Sequence, residues 1–259
     1  MKKIENIAYG SEDALQALDI YLPDTPVSAV VVYFHGGGLE VGDKACEEKE
    51  VSYLVERGVA FVNANYRMYP NAEYPDFIYD AAKAVAWANG YMRKELNCDK
   101  LYVSGGSAGG YISMMLCFDK KYLASVGLDN SVISGYFHDA GQPTAHFNVL
   151  KYKNIDPRRI IVDETAPLYY IGVEKEYPPM RFIVSDNDME NRYEQIMLTL
   201  STLSHFGYEK FDYVLMHGTH CEYGKKFDGN GQSIYMQMIY DFIGSVENGT
   251  LRYTKPEIK

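Results

Sequence analysis

Short apolar runs that end in glycine, serine or aspartate recur along the chain, and segments with helical spacing lie between them. Val30 to Phe34 is a continuous β-branched and aromatic run, the pattern of a strand buried on both faces of a parallel sheet. Ala60 to Ala64, Leu101 to Ser104, Met180 to Val184 and Phe211 to Met216 read the same way, with a further strand near Val132 and Ile133. Residues 4–9 and 15–22 predict an antiparallel pair joined by a polar Gly-Ser-Glu-Asp turn. Helices are predicted after Asp43, over Asp76 to Met92, from Ala108, and from about Asn191. In the second of these, Ala81, Ala82, Val85, Ala86 and Trp87 recur at helical spacing and supply a face to pack on the sheet. This alternation predicts an α/β chain: a mostly parallel central sheet, helices on both faces, and functional loops at the carboxyl ends of the strands.

Two glycine-rich segments sit at such strand ends. Gly105-Gly106-Ser107-Ala108-Gly109 fits G-x-S-x-G, entered from an apolar strand and left through a helix. A strand that turns sharply into a helix at a serine lifts the hydroxyl out of the chain. The strained turn demands small neighbours, and the helix start aims free N–H groups at whatever the serine attacks. Upstream, Val30 to Phe34 runs into His35-Gly36-Gly37-Gly38, whose uncovered N–H groups, with that of Ala108, suit a developing negative oxygen.

The two motifs together resemble the α/β-hydrolase esterases, in particular the hormone-sensitive-lipase-like bacterial carboxylesterases and acetyl esterases. Asn65-Tyr66-Arg67 to Pro70, Tyr74-Pro75 and Asp80 are also similar to that group. The resemblance implies the α/β-hydrolase fold, a Ser-acid-His triad in that chain order, and Gly37, Gly38 and Ala108 as an oxyanion hole, with His35 bracing the loop. It places the acid at Asp188. The family usually has Pro-Leu after the acid where this chain has Met189-Glu190, so Asp186 stands as the alternative. Either aspartate also suits capping the helix that starts near Asn191. The base follows the Phe211 strand, and His220, with Tyr223 close behind, fits better than His217. The H-x-x-H pair lacks the spacing and adjacent carboxylate of a zinc motif. His138, His146 and His205 have no comparable context. In this reading His220 takes the Ser107 proton, Asp188 holds the imidazole, an acyl-enzyme forms and water releases it, with no metal or organic cofactor.

The stretch 136–179 breaks the strand–helix rhythm and holds Tyr136, Tyr152, Tyr169, Tyr170 and Tyr177 with five prolines. In this fold it is where a short cap insertion is expected, its aromatics candidates for lining a substrate pocket. The rest of residues 1–259 reads as a single domain. The first strand starts almost at once, which removes half of the cap that many relatives carry and points to an open acyl site for short, acetyl-like esters, acetylated carbohydrates among them by analogy. The alternatives are an amidase or formamidase, a prolyl-oligopeptidase-like peptidase, and a non-catalytic ligand receptor on the same scaffold.

Charge narrows the partners. Thirty-five acidic against 25 basic residues give a net charge of −10, which argues against nucleic acid or an anionic membrane surface as the main partner; a small-molecule ester is the partner that the resemblance implies. The start, Met-Lys-Lys-Ile-Glu-Asn, has no apolar region behind its lysines, so no secretory signal is expected. Cys46, Cys98, Cys117 and Cys221 are scattered, as free thiols in the cytoplasm would be.

Overall fold

A computed structural model describes residues 1–254. Eight strands form one sheet: β1 (Lys2–Ala8), β2 (Ala17–Leu22), β3 (Ala29–Phe34), β4 (Val59–Ala64), β5 (Leu101–Gly106), β6 (Gly135–Asp139), β7 (Met180–Asn187) and β8 (Phe211–Thr219). Their spatial order is β1-β2-β4-β3-β5-β6-β7-β8. β2 runs antiparallel to both β1 and β4, and every other neighbouring pair is parallel. The helices are α1 (Glu48–Val55), α2 (Asp76–Glu95), α3 (Ala108–Phe118), α4 (Lys121–Ala124), α5 (Phe147–Tyr152), α6 (Arg192–His205) and α7 (Ile234–Glu247). This is the α/β-hydrolase fold.

β3 shows how the sequence builds the two layers. Val30, Val32 and Phe34 belong to the buried layer that also holds residues of α2, α3 and α6, whereas Ala29 and Val31 belong to the opposite layer, with residues of α1 and α7. Side chains alternate across a strand, so a run apolar at every position is what a sheet covered on both faces requires. Burial of each such side chain contributes about 1.5–3 kcal/mol. No helix among the described residues is long and apolar enough to cross a membrane.

Two sequence expectations shift. The apolar pair Val132 and Ile133 is not a strand: residues Asn130–Val132 form a 3₁₀ turn capped by the Asp129 carboxylate, which accepts from the Ser131 N–H at 2.9 Å, and β6 begins at Gly135. Residues 136–139 are therefore part of the sheet, and the segment outside it runs from 140 to 179. On α2 the buried stripe is Ala81, Ala82, Ala84, Val85 and Ala88; Ala86 and Trp87 lie at its margin, half-buried, with Trp87 stacked on Tyr91.

The segment after β4 is tied down by a buried ion pair. Arg67 grips Asp80 of α2 with two bonds, Nε to Oδ2 at 2.7 Å and Nη2 to Oδ1 at 2.8 Å, and Gln16 Nε2 donates to the same carboxylate at 2.7 Å. Removing one partner of such a pair strands the other, at a cost of about 3–5 kcal/mol. Asp80→Ala is therefore expected to lower the melting temperature by roughly 6–20 °C, since one kcal/mol corresponds to about 2–4 °C in a chain of this size. Calorimetry checks this, and a melting temperature within a degree or two of wild type would show that the pair does not hold this segment.

Candidate active site

Ser107 stands between β5 and α3 with φ 54° and ψ −111°. A side-chain-bearing residue at such angles costs on the order of 1–3 kcal/mol, so its surroundings must hold it. Its N–H donates to the Asp139 carbonyl at 2.8 Å, and its carbonyl accepts from Tyr111 N–H at 3.0 Å. The turn closes tightly enough that a Cβ at Gly109 would meet the Phe34 carbonyl oxygen at 1.9 Å. Only glycine fits there, which explains the last glycine of the pentapeptide.

β7 and β8 deliver the carboxylate and the imidazole. His220, just past β8, places Nε2 2.8 Å from Ser107 Oγ and Nδ1 2.5 Å from Asp188 Oδ1. Assigned from this network, Nδ1 carries the proton toward the carboxylate and Nε2 is free to accept from the serine hydroxyl. The Asp188 side chain is 1% exposed. Burial pushes its carboxyl up, but the His220 ring, the Met189 N–H at 2.7 Å and the Arg192 charge outweigh that and hold it below the ordinary range. Arg192 is buried and bonds the Ala140 carbonyl, with Gln142 Oε1 at 3.4 Å.

The alternative pair is also formed, but elsewhere. His217 Nδ1 meets Asp186 Oδ2 at 2.5 Å, and Gly218 N–H donates to Asp186 Oδ1 at 3.0 Å. The His217 side chain is 90% exposed, and Ser107 is bonded to His220 instead. Neither aspartate caps α6: that helix starts from Asn191 with no side-chain cap. Each aspartate serves a histidine.

The glycine loop lies against Ser107. A Cβ on Gly36 would come within 3.2 Å of Ser107 Cβ, and Gly37 turns at φ +108° where a Cβ would overlap the Val41 carbonyl. The N–H groups of Gly37 and Gly38 donate to no acceptor among the described residues, and Ala108, first in α3, has no carbonyl one helical turn back to donate to. Behind the loop, the His35 ring stacks on Tyr66, whose hydroxyl donates to the His35 carbonyl at 2.8 Å. Burial lowers the His35 pKa and keeps it neutral, which suits a brace. From the other side α5 holds the loop: Asn148 Nδ2 donates to the Gly38 carbonyl at 2.6 Å and to Glu40 at 3.1 Å, and Lys151 pairs with Glu40 at 2.7 Å.

A cavity of about 500 Å³ opens beside Ser107, Gly37 and His220. None of the five tyrosines of 136–179 lines it; Tyr136 and Tyr177 are core residues, Tyr152 stacks on Tyr69, and Tyr169 is exposed. Its tyrosines are Tyr33 and Tyr235. Sequence reasoning also missed Asn148 and Asp139. Asp139 ends β6 and accepts a hydrogen bond from Tyr223, three residues beyond His220, so it ties the histidine loop to the sheet. Cys221 adjoins His220, and burial pushes its thiol well up. His138 and His146 are buried, each lowered to about 3 by burial, and so stay neutral.

Residues 18–150 match the BD-FAE family. Among curated proteins the chain is similar to "Probable carboxylic ester hydrolase LipM" of Mycobacterium tuberculosis, 33% identical over 116 residues, which is 42% of this chain and 27% of that protein. The matched segment spans about a third or less of the length of the curated relatives. Among solved structures it is similar to the thermophilic esterase Est2 of Thermogutta terrifontis, with TM-score 0.73 and 21% identity over 95% of this chain and 92% of that one. It is also similar to a truncated carbohydrate esterase from gut microbiota, with TM-score 0.73 and 19% identity over 96% and 97% of the two chains. At these identities the structural likeness carries the fold.

Asp139 gives the site a pH-dependent cost. Burial, opposed by the Tyr223 hydrogen bond, pushes its carboxyl from 3.8 up to about 7. The native state then keeps this proton over a range where the unfolded chain has released it, so stability is lost as pH rises from about 4 to about 7 and stays lost above. Asp139→Asn keeps an acceptor for Tyr223 and removes the charge. Its melting temperature relative to wild type is expected to climb between about pH 5 and about pH 8, and a gap that stays flat or narrows would refute the assignment.

Proposed function

This chain belongs to the BD-FAE family, and on that premise we propose that it is a serine carboxylester hydrolase acting on short-chain, acetyl-like esters. The observation that carries the reading is the unbroken hydrogen-bonded line from Ser107 Oγ through His220 to the buried Asp188. It lies beside a glycine loop whose N–H groups have no acceptor among the described residues. Within the α/β-hydrolase fold, His35-Gly36-Gly37-Gly38 with Gly105-x-Ser107-x-Gly109 supports the hormone-sensitive-lipase-like branch.

A serine hydroxyl is a weak nucleophile until a base takes its proton. His220 Nε2 is within reach to do so as Oγ attacks the ester carbonyl. The oxyanion is stabilised by the N–H groups of Gly37, Gly38 and Ala108, each contributing about 2.7–4 kcal/mol in comparable sites. Asp188 fixes the ring and balances the imidazolium without taking its proton. His220 then protonates the departing alcohol, and water, activated by the same ring, frees the acid from Ser107. The insertion at 140–179 acts as a cap; the contacts of its α5 with Gly38 and Glu40 support this. The four free cysteines support a cytoplasmic setting. The carbohydrate esterase of like fold supports extending the substrates to sugar-borne acetyl groups by analogy.

Hydrolysis of p-nitrophenyl acetate by purified protein tests the residue roles. Ser107→Ala and His220→Ala are each expected to lower kcat by about 10⁴-fold or more with the fold intact by circular dichroism, and Asp188→Asn by about 10⁴-fold. His217→Ala is expected to stay within about twofold of wild type, because its ring points to solvent. A dead His217 variant beside an active His220 variant would reverse the assignment. Across p-nitrophenyl esters of increasing acyl length, activity is expected to peak at the shortest chains, and a preference for long acyl chains would contradict the substrate class.

A further inference from the structure

A second cavity, of about 300 Å³, lies between the insertion and the start of α6, and the hydrolytic steps leave most of its polar groups unused. Three guanidinium groups line it, those of Arg158, Arg159 and Arg192, against one carboxylate, Glu190. Arg158 is paired with Asp156 at 2.6 Å. Arg159 and Arg192 form no ion pair among the described residues, although Arg192 is only 4% exposed. The hydrogen bonds of Arg192 go to neutral acceptors, the Ala140 carbonyl and Gln142 Oε1, and the nearby Asp188 is committed to His220 and the Met189 N–H.

A directional chain of hydrogen bonds orients the amide beside Arg192. Gln142 Nε2 donates to the Ala145 carbonyl at 2.9 Å, which can only accept, and to Thr144 Oγ1 at 3.1 Å. The Thr144 hydroxyl then gives its own proton to Gln195 Oε1 at 2.9 Å. Gln195 is thereby turned with its Nε2 group away from the network. That nitrogen has no acceptor among the described residues and is not sealed from solvent, and Gln195, 7% exposed, lines the cavity. The unspent groups of Arg159, Arg192 and Gln195 are all donors, so a ligand must bring acceptor oxygens and a negative charge. A carboxylate supplies both and gives the buried guanidinium the counter-charge it lacks. A phosphate dianion would bring a second charge toward Glu190 and Asp188. The remaining walls are apolar: Phe147, with Ile160 and Met189 at 55% and 41% exposure, suits a short methylene chain. Phe147 and Met189 also join this cavity to the catalytic groups. The Phe147 ring lies 3.6 Å from where a Cβ on Gly38 would stand, and Met189 follows Asp188. His220, which must protonate the departing alcohol, lines the cavity beside Ser107 and not this one, which leaves the acyl half of an ester to point here.

We propose that this cavity is a carboxylate subsite, in which Arg159, Arg192 and Gln195 Nε2 bind the free carboxylate of a short dicarboxylic acid presented as its monoester. The proposal rests on the ester-hydrolase reading and adds a substrate class: what the site reads at the far end of the acyl group is charge.

The test holds the alcohol and the shape of the acyl group fixed. Monoethyl succinate and monoethyl glutarate are each compared with the ethyl ester in which a methyl ketone replaces the carboxylate, by acid release at constant pH. Wild type is expected to favour at least one charged monoester in kcat/KM by roughly tenfold or more, the scale of hydrogen bonds to a charged group. Free glutarate is expected to inhibit its hydrolysis competitively, and inorganic phosphate at the same concentration is not. Arg159→Gln is expected to shrink the preference by roughly two- to fivefold, as for an exposed charge contact, and Gln195→Leu by roughly three- to tenfold. With the carboxylate moved to the alcohol, in 4-acetoxybutanoate against its methyl ketone counterpart, no preference is expected. Equal use of each charged and neutral pair by wild type would overturn the proposal while leaving the hydrolase reading standing, and requires no variant to fold. A preference unchanged in folded Arg159→Gln and Gln195→Leu proteins would also overturn it, as would a preference seen only on the alcohol side, or phosphate inhibiting as well as glutarate. No hydrolysis of any ester, with no labelling of Ser107 by a fluorophosphonate, would remove the underlying reading and this one with it.

Discussion

Ser107 is held at backbone angles that a residue with a side chain adopts only under constraint, and the rest of the site is arranged around that turn. The constraint is steric as much as hydrogen-bonded. β3 pairs with β5 in parallel register, so the Phe34 and His35 backbone passes close to the start of α3, and Gly109 leaves room for it. The same proximity brings Gly36 against Ser107. The close packing that forces the serine outward therefore also sets the glycine loop beside it, and one sheet register accounts for both.

The other half of the site depends on β7 and β8. These strands end in two adjacent His–Asp pairs, and the difference between them is one of direction. Asp186 and His217 meet at the exposed edge, whereas Asp188 and His220 fold inward, with the carboxylate buried beside Arg192. Ser185 Oγ donates to the Thr219 carbonyl at 3.0 Å, joining the two strand ends immediately before the chain turns in. Tyr223 then fastens the histidine loop to Asp139 at the end of β6, which itself accepts the Ser107 N–H. Serine and imidazole are thus referenced to the same residue from two directions.

What the sequence made legible was what is local. Strand patterning located seven of the eight strands closely; in β3, β4 and β5 burial on both faces demands the apolar composition, whereas the edge pair β1 and β2 was marked by its polar turn. The glycine motifs were legible because backbone clearance admits no other residue. The exception, β6, begins in Gly135 and carries His138 and Asp139, polar residues that a buried run does not announce. Ile133 satisfies the core without being in a strand. Long-range partners were not legible at all. Asn148 lies 110 residues from Gly38, and Tyr235 comes from the far end of the chain to meet Asn63 and Asp139 around one cavity. No periodicity marks such residues, since their role arises only once the layers close. The tyrosine-rich insertion misled for the same reason: aromatic content says that a segment packs, not against what.

Glu40 joins the glycine loop to α5 through Asn148, Lys151 and the Tyr152 hydroxyl, while Tyr152 lies flat on Tyr69 at 3.9 Å. The dipoles of that loop are thereby oriented during folding and need not swing into place at each turnover. On the reading proposed above, the reorganisation energy that water would demand is settled once, in the making of the native state. The insertion then acts as a tensioner on the electrostatics of a reaction it need not touch, and drift in α5 alters chemistry at a distance of several side chains.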